Sequence, residues 1–157
     1  MSDQPQYLTA DGRKTLEKRL LNLVEKRRPE VAERLRLALE EGGDVMENTE
    51  YEDAKTEQAF VEGEISRIEY ILRTAEHLEE GVAHDSVVPG ARVTLMEKGA
   101  DEEEIFMLVG SAEANPSLGK ISVESPLGKA LLGSKVGDKV KVAAPDGEIV
   151  FKVKSIA

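Results

Sequence analysis

A chain of 157 residues with 40% hydrophobic content is long enough for one ordinary domain or two small ones and too apolar for wholesale disorder. Lacking cysteine, it can build neither a disulfide framework nor a thiolate metal site, and aromatics at only 4% suit a hairpin of Leu, Ile and Ala better than a deep aromatic pocket. A net charge of −10 argues against tight autonomous binding to duplex nucleic acid, where lysines and arginines must displace counterions. The apolar runs fall far short of a membrane span, and the opening Met-Ser-Asp-Gln-Pro-Gln lacks the basic and apolar regions of a signal peptide, which predicts a cytoplasmic protein.

The charge is unevenly spread. Residues 11–40 hold nine basic and six acidic side chains, residues 41–80 three and thirteen, and residues 81–157 nine and eleven. The first of these segments places Leu16, Leu20, Leu23, Val24, Val31, Leu35 and Ala38 at helical spacing. Arg27, Arg28 and Pro29 interrupt it, and a proline removes one helical hydrogen bond. Because Val24 and Val31 are one heptad apart, the pattern predicts a bent helix rather than a break. Gly42-Gly43 reads as its stop. The second segment carries a heptad seam of Tyr51, Ala54, Gln58, Val61, Ile65, Ile68, Leu72 and Ala75, with the helical pattern ending around Glu79-Glu80-Gly81. Two such helices joined by a short connection predict an antiparallel coiled-coil arm over residues 1–80, roughly 45 Å long, with its acidic tip at 42–52.

Beyond Val88-Pro89-Gly90 the period becomes two. Strands are predicted at Arg92–Leu95, Ile105–Val109, Lys120–Val123, Lys139–Val142 and Ile149–Val153. Turns are expected at Glu97–Glu104, Asn115–Gly119 and Pro145–Gly147, and a short helix over Ser125–Gly133 with Pro126 in its first turn. The fold class is therefore α+β, with residues 81–157 forming a small domain of mostly antiparallel strands. His77 and His84 read as isolated surface residues, and Asp101–Glu104 as a solvated hairpin turn.

The tip concentrates the chemistry. From Glu40 to Lys55 there are seven acidic side chains and one lysine. Asp44 and Glu47 have the spacing of a capping box, but Thr49 with Glu52 has it too, and Asn48 is a further cap candidate. One cap suffices, so acids are left over. Two carboxylates on one turn are the usual protein contribution to a Mg²⁺ that keeps several waters. Alone they hold it weakly, so a site here needs ligands from a partner.

The stretch Gly43-Asp44-Val45-Met46-Glu47-Asn48-Thr49-Glu50-Tyr51 resembles the G-D-x-x-E-N-x-E-Y tip of the bacterial Gre family of transcript-cleavage factors, and within it the GreA type. Arg27-Arg28-Pro29-Glu30, Glu62-Gly63 with Ile65, Ser125–Gly133, Val136-Gly137-Asp138 and Pro145-Asp146-Gly147-Glu148 are similar to further family patterns in the same order, from about Leu8 to the end. The resemblance implies a coiled-coil hairpin followed by an FKBP-like domain that docks on bacterial RNA polymerase, the hairpin entering the polymerase's secondary channel. It implies a monomeric cofactor rather than an enzyme. The polymerase's own site then hydrolyses the 3′ end of backtracked nascent RNA, with Mg²⁺ held jointly and none bound by the factor alone.

By the same resemblance Asp44 and Glu47 are the metal-coordinating pair, Asn48 orients water or RNA, and Tyr51 packs the tip. Lys55 falls where the family carries a base facing RNA; Arg34 and Arg36 are lesser candidates, with salt-bridged helix surface as their ordinary reading. The chain departs from the pattern by acids at Glu40-Glu41 before the Gly-Asp pair and by one added residue between Pro29 and Asp44, which bears on the reach of the acids. A factor that occupies the channel and blocks it is the alternative. A prolyl isomerase would need an aromatic-lined pocket, whereas residues 81–157 offer only Phe106 and Phe151.

Overall fold

A computed structural model of the protein describes residues 5–41, 47–80 and 84–157. The fold is α+β and divides into two compact units, Arg13–Thr74 and Met1–Gly12 with Ala75–Ala157. The second unit thus takes in short segments from either side of the helices as well as the strand-rich C-terminal region.

The first unit is a helical hairpin. Helix α1 (Ala10–Asn22) runs through a π-helical turn at Leu23–Arg27 into α2 (Arg28–Glu40), and α3 (Thr49–Thr74) returns. The helix is unbroken at Pro29, and the π turn shows how. Proline has no N–H to donate, and its ring crowds the carbonyl four residues earlier. The turn before it widens, with the Arg28 N–H bonded five residues back to Leu23 O. This widening also keeps the seam in phase. The buried residues Leu16, Leu23, Val31 and Ala38 are separated by seven, eight and seven positions, and the π turn absorbs the extra one. Leu23 is thus the buried partner one step before Val31, and Val24 is half-buried.

Opposite them α3 buries Ala54, Val61, Ile65 and Ile68 of the predicted seam, and at its end Ile71 is buried where Leu72, only half-buried, was expected. The ion pairs establish antiparallel packing: Arg19 meets Glu64, Arg28 meets Glu62, and Arg34 meets Glu57 and Glu50. Arg27 also pairs with Glu57. The acidic excess of α3 therefore faces arginines of the first helices. Such exposed pairs are worth about 0–1 kcal/mol each and do more to fix register than to hold the hairpin together.

Helix α3 ends at Thr74, earlier than the pattern through Glu79–Gly81 suggested. The chain is diverted there into strand β2 (Glu76–His77), which pairs in parallel with β1 (Tyr7–Leu8) from the other end of the sequence. Glu76 N–H donates to Gln6 O and Leu78 N–H to Leu8 O, both at 2.8 Å. Beside this pair, Thr9 is fully buried: its N–H and hydroxyl donate to the Glu113 carboxylate, while its oxygen accepts from Gly12 N–H as a helix cap.

The remaining strands are β3 (Arg92–Glu97), β4 (Glu103–Val109), β5 (Lys120–Ser122), β6 (Lys139–Ala144) and β7 (Gly147–Ile156), in the order β5-β4-β3-β7-β6. Only β4 and β5 are parallel. Val93, Leu95, Leu108 and Val153 on one face are fully buried with Leu131 of α4 (Pro126–Leu131). Alternation sends Lys139 and Lys141 of β6 to the other face, as expected of an antiparallel sheet packed on one side. The Ser-Pro-Leu-Gly run starts α4: Ser125 Oγ accepts from Gly128 N–H at 3.0 Å and donates to Ser122 O at 2.7 Å. Gly128 lies so close to Ser122 O that a Cβ would come within 2.0 Å. Among the described residues no helix is long and apolar enough to cross a membrane.

Candidate functional site at the hairpin tip

Helix α2 closes at Glu40, with Glu41 N–H still bonded to Leu37 O, one residue before the predicted glycine stop. Gly42, Gly43, Asp44, Val45 and Met46 lie outside the described residues, and with them the expected partner of Glu47. The chain is described again from Glu47.

Which residue caps α3 is settled by geometry. Asn48 Oδ1 accepts from Tyr51 N–H at 3.1 Å, and Asn48 O accepts the first helical bond, from Glu52 N–H. Thr49 is already helical, so the Thr49–Glu52 box is not the cap. The Asn48 amide nitrogen reaches across to donate to Ala38 O at 2.9 Å. One side chain thus satisfies an orphan donor at the start of α3 and a late carbonyl of α2. The sequence pointed to Asn48 as a possible cap, but its acceptor depends on how the helices pair and has no local signature.

Glu47 stands one position before this cap. It is exposed and has no hydrogen bond or ion pair among the described residues. With Asn48 filling the cap, Glu47 is free of that structural task. The first turn of α3 adds Glu50 and Glu52, and the positive end of a helix dipole favours carboxylates there. Among the described residues no three acidic, His or Cys side chains are grouped to hold a metal ion, and the described part of the tip offers a divalent cation the exposed carboxylate of Glu47 as a partial ligand.

The other expected site residues separate into two kinds. Arg34 is engaged by Glu57 and Glu50, and Arg36 by Glu33 and Glu40, as ordinary helix-surface pairs. Hydrogen bonds that Arg36 donates to Glu33 and then to Glu40 stabilise its cation, raising its already high pKa. Lys55 is exposed and has no such partner among the described residues. Tyr51 is half-buried at the head of the seam, one turn before fully buried Ala54. Both aromatics of the sheet, Phe106 and Phe151, pack against the core.

The hairpin with its capped acidic tip, followed by the sheet domain, has the build of an elongation factor, and the comparisons agree. Residues 6–76 match the family described as transcription elongation factor, N-terminal, and residues 82–157 match transcription elongation factor, GreA/GreB, C-term. The chain is 48% identical over 150 residues to transcription elongation factor GreA of Acetivibrio thermocellus, covering 95% of this chain and 94% of that protein. It is 45% identical to the GreA of Streptococcus pneumoniae serotype 4, covering 99% and 98%. Among solved structures, GreA factor homolog 1 of Thermus thermophilus aligns at 33% identity over 98% and 99% of the two chains, with a TM-score of 0.44. The protein belongs to the GreA/GreB family of transcription elongation factors.

Proposed function

We propose that this protein binds bacterial RNA polymerase, places its helical hairpin in the secondary channel and stimulates the polymerase's own hydrolysis of backtracked RNA. The observation that carries this reading is Glu47: an exposed carboxylate without a described partner, beside a cap that Asn48 already supplies. Asp44, three residues earlier, is the natural second carboxylate. Both would join a Mg²⁺ whose remaining ligands belong to the polymerase. The cation supplies charge that activates water and stabilises the leaving oxygen of a phosphodiester.

Within this chain each group has a separate task. Asn48 is a positioning residue: by tying α3 to Ala38 it holds Glu47 at a fixed place relative to both helices. Lys55, exposed and without an ion pair among the described residues, would meet RNA phosphate near the tip. Arg34 ties α2 to α3 through Glu57 and Glu50, whereas Arg36 pairs with Glu33 and Glu40 of its own helix. The factor is a cofactor of the polymerase and works in the cytoplasm as a monomer.

The test uses stalled, backtracked bacterial polymerase with 5′-labelled transcript and Mg²⁺. Wild type should shorten the RNA and release 3′ fragments, while Asp44→Asn with Glu47→Gln binds polymerase and does not. If both proteins bind and neither shortens RNA, the tip blocks the channel instead.

A further inference from the structure

The outer face of the sheet, away from α4, holds a groove of about 490 Å³ where the β3–β4 turn at Lys98–Ala100 meets β7 and β6. Lys98 N–H donates to Val150 O at 2.8 Å, which fixes the turn over the sheet. The floor is aliphatic, from half-buried Met96 and Val150, and the rim carries Lys98, Lys139, Lys141 and Lys152, all exposed.

The charges of this rim are poorly compensated. Lys152 stands directly opposite Lys139 across the β6–β7 pair, an arrangement that costs stability in an antiparallel ladder. Only Lys141 has a carboxylate in reach, Glu148 at 3.7 Å; the other three lysines have no ion pair among the described residues. Among the described lining residues Glu97 and Glu148 are the only acids against four lysines, so the groove is positive by two charges on a chain of net −10. A threonine or glutamate at either position would relieve the repulsion. An anion seated between the two lysines would relieve it as well.

The lining also says which anion. Among the described lining residues there is no aromatic side chain for a nucleotide base to stack on, and no arginine for bidentate phosphate contact. Ammonium groups on aliphatic stems around a Met–Val floor complement carboxylates that flank an apolar side chain. We propose that this groove docks an acidic segment of a partner protein, in which Asp or Glu residues bracket a leucine-like side chain. This docking is independent of the tip's chemistry.

The experiment titrates isotope-labelled full-length protein with an acetylated hexapeptide, Glu-Leu-Glu-Asp-Leu-Glu, following the Met96 methyl and Val150 amide resonances. Its Gln/Asn counterpart and oligouridylate serve as competitors. The acidic peptide should shift both resonances and the neutral one should not. Lys139→Gln with Lys152→Gln should weaken binding at least tenfold with an otherwise unchanged spectrum. Lys152→Glu should abolish binding yet raise Tm, so that loss of binding cannot be assigned to unfolding. No shift with the acidic peptide, an equal shift with the neutral one, preference for oligouridylate, or wild-type affinity in the double variant overturns the proposal.

Discussion

The side-chain amide of Asn48 donates to the main-chain carbonyl of Ala38 across the hairpin, 2.9 Å away. The same side chain caps α3 through Tyr51 N–H, so its loss removes two bonds at once. Asn48→Ala should therefore destabilise the protein by about 1–3 kcal/mol, a helix cap and one further hydrogen bond. Asn48→Asp keeps the acceptor for Tyr51 but sets a carboxylate against the Ala38 carbonyl, and should retain only part of that stability. Urea unfolding measures both. RNA cleavage should fall in both variants even where they remain folded, because Glu47 is no longer held; unchanged cleavage in folded Asn48→Ala would remove the positioning role.

Lys55 and Arg34 should respond differently to truncation. Lys55→Ala removes a side chain without a described partner, so stability should stay within about 0.5 kcal/mol while cleavage drops and loses part of its salt dependence. Arg34→Ala opens exposed pairs to Glu57 and Glu50, at a cost of about 0–1 kcal/mol, with cleavage little altered. Parallel thermal melts and cleavage time courses separate the two.

Acid should loosen the hairpin through its ion pairs. Hydrogen bonds from Arg36, Arg28 and Arg67 hold the carboxyls of Glu33, Glu62 and Glu64, respectively, below the ordinary value of 4.5, with Arg19 adding to the effect on Glu64. A carboxyl with a lowered folded pKa binds protons more readily when unfolded. Its contribution is present above 4.5 and is lost as pH falls from there through the folded value. Thermal unfolding followed by circular dichroism should show Tm declining below pH 4.5, less steeply in 1 M salt. Glu62→Gln should lower Tm at pH 7 and flatten the acid limb; an unchanged acid limb would exclude that pair as a source.

Much of this was legible in the sequence where the pattern is local and repetitive. The seam from Ala54 to Ile68, the five strands and the Ser125 entry to α4 follow from periodicity and cap chemistry. What escaped depends on partners distant in sequence. Nothing around Glu76-His77 announces a strand, because its partner is Tyr7-Leu8. Likewise Thr9 gives no hint of Glu113, 104 positions away. At Pro29 the sequence indicated continuity, but the π turn is legible only in retrospect, as the eight-residue interval from Leu23 to Val31. At the tip, the candidate caps were visible, while the choice among them rested on Ala38.

Two glycines give opposite predictions from the same substitution. Gly110 has φ −67, an ordinary conformation, so the constraint on it is space: an added Cβ would lie 2.1 Å from the Tyr7 carbonyl oxygen. Since the obstacle is backbone, β1 must move away. Gly110→Ala should then cost about 1–3 kcal/mol, as overpacking does, and should first expose the amides of Glu76 and Leu78, whose acceptors are Gln6 and Leu8. Gly63 is exposed in the interior of α3 with nothing within 4 Å of an added Cβ. There alanine restricts the unfolded chain and favours the helix, so Gly63→Ala should stabilise by about 0.5–1 kcal/mol. Hydrogen exchange on both variants decides the matter: protection at Glu76 and Leu78 should collapse in Gly110→Ala alone, while α3 amides in Gly63→Ala should exchange more slowly than in wild type. Full protection of β2 in Gly110→Ala would mean that β1 accommodates the methyl group without parting from its partner.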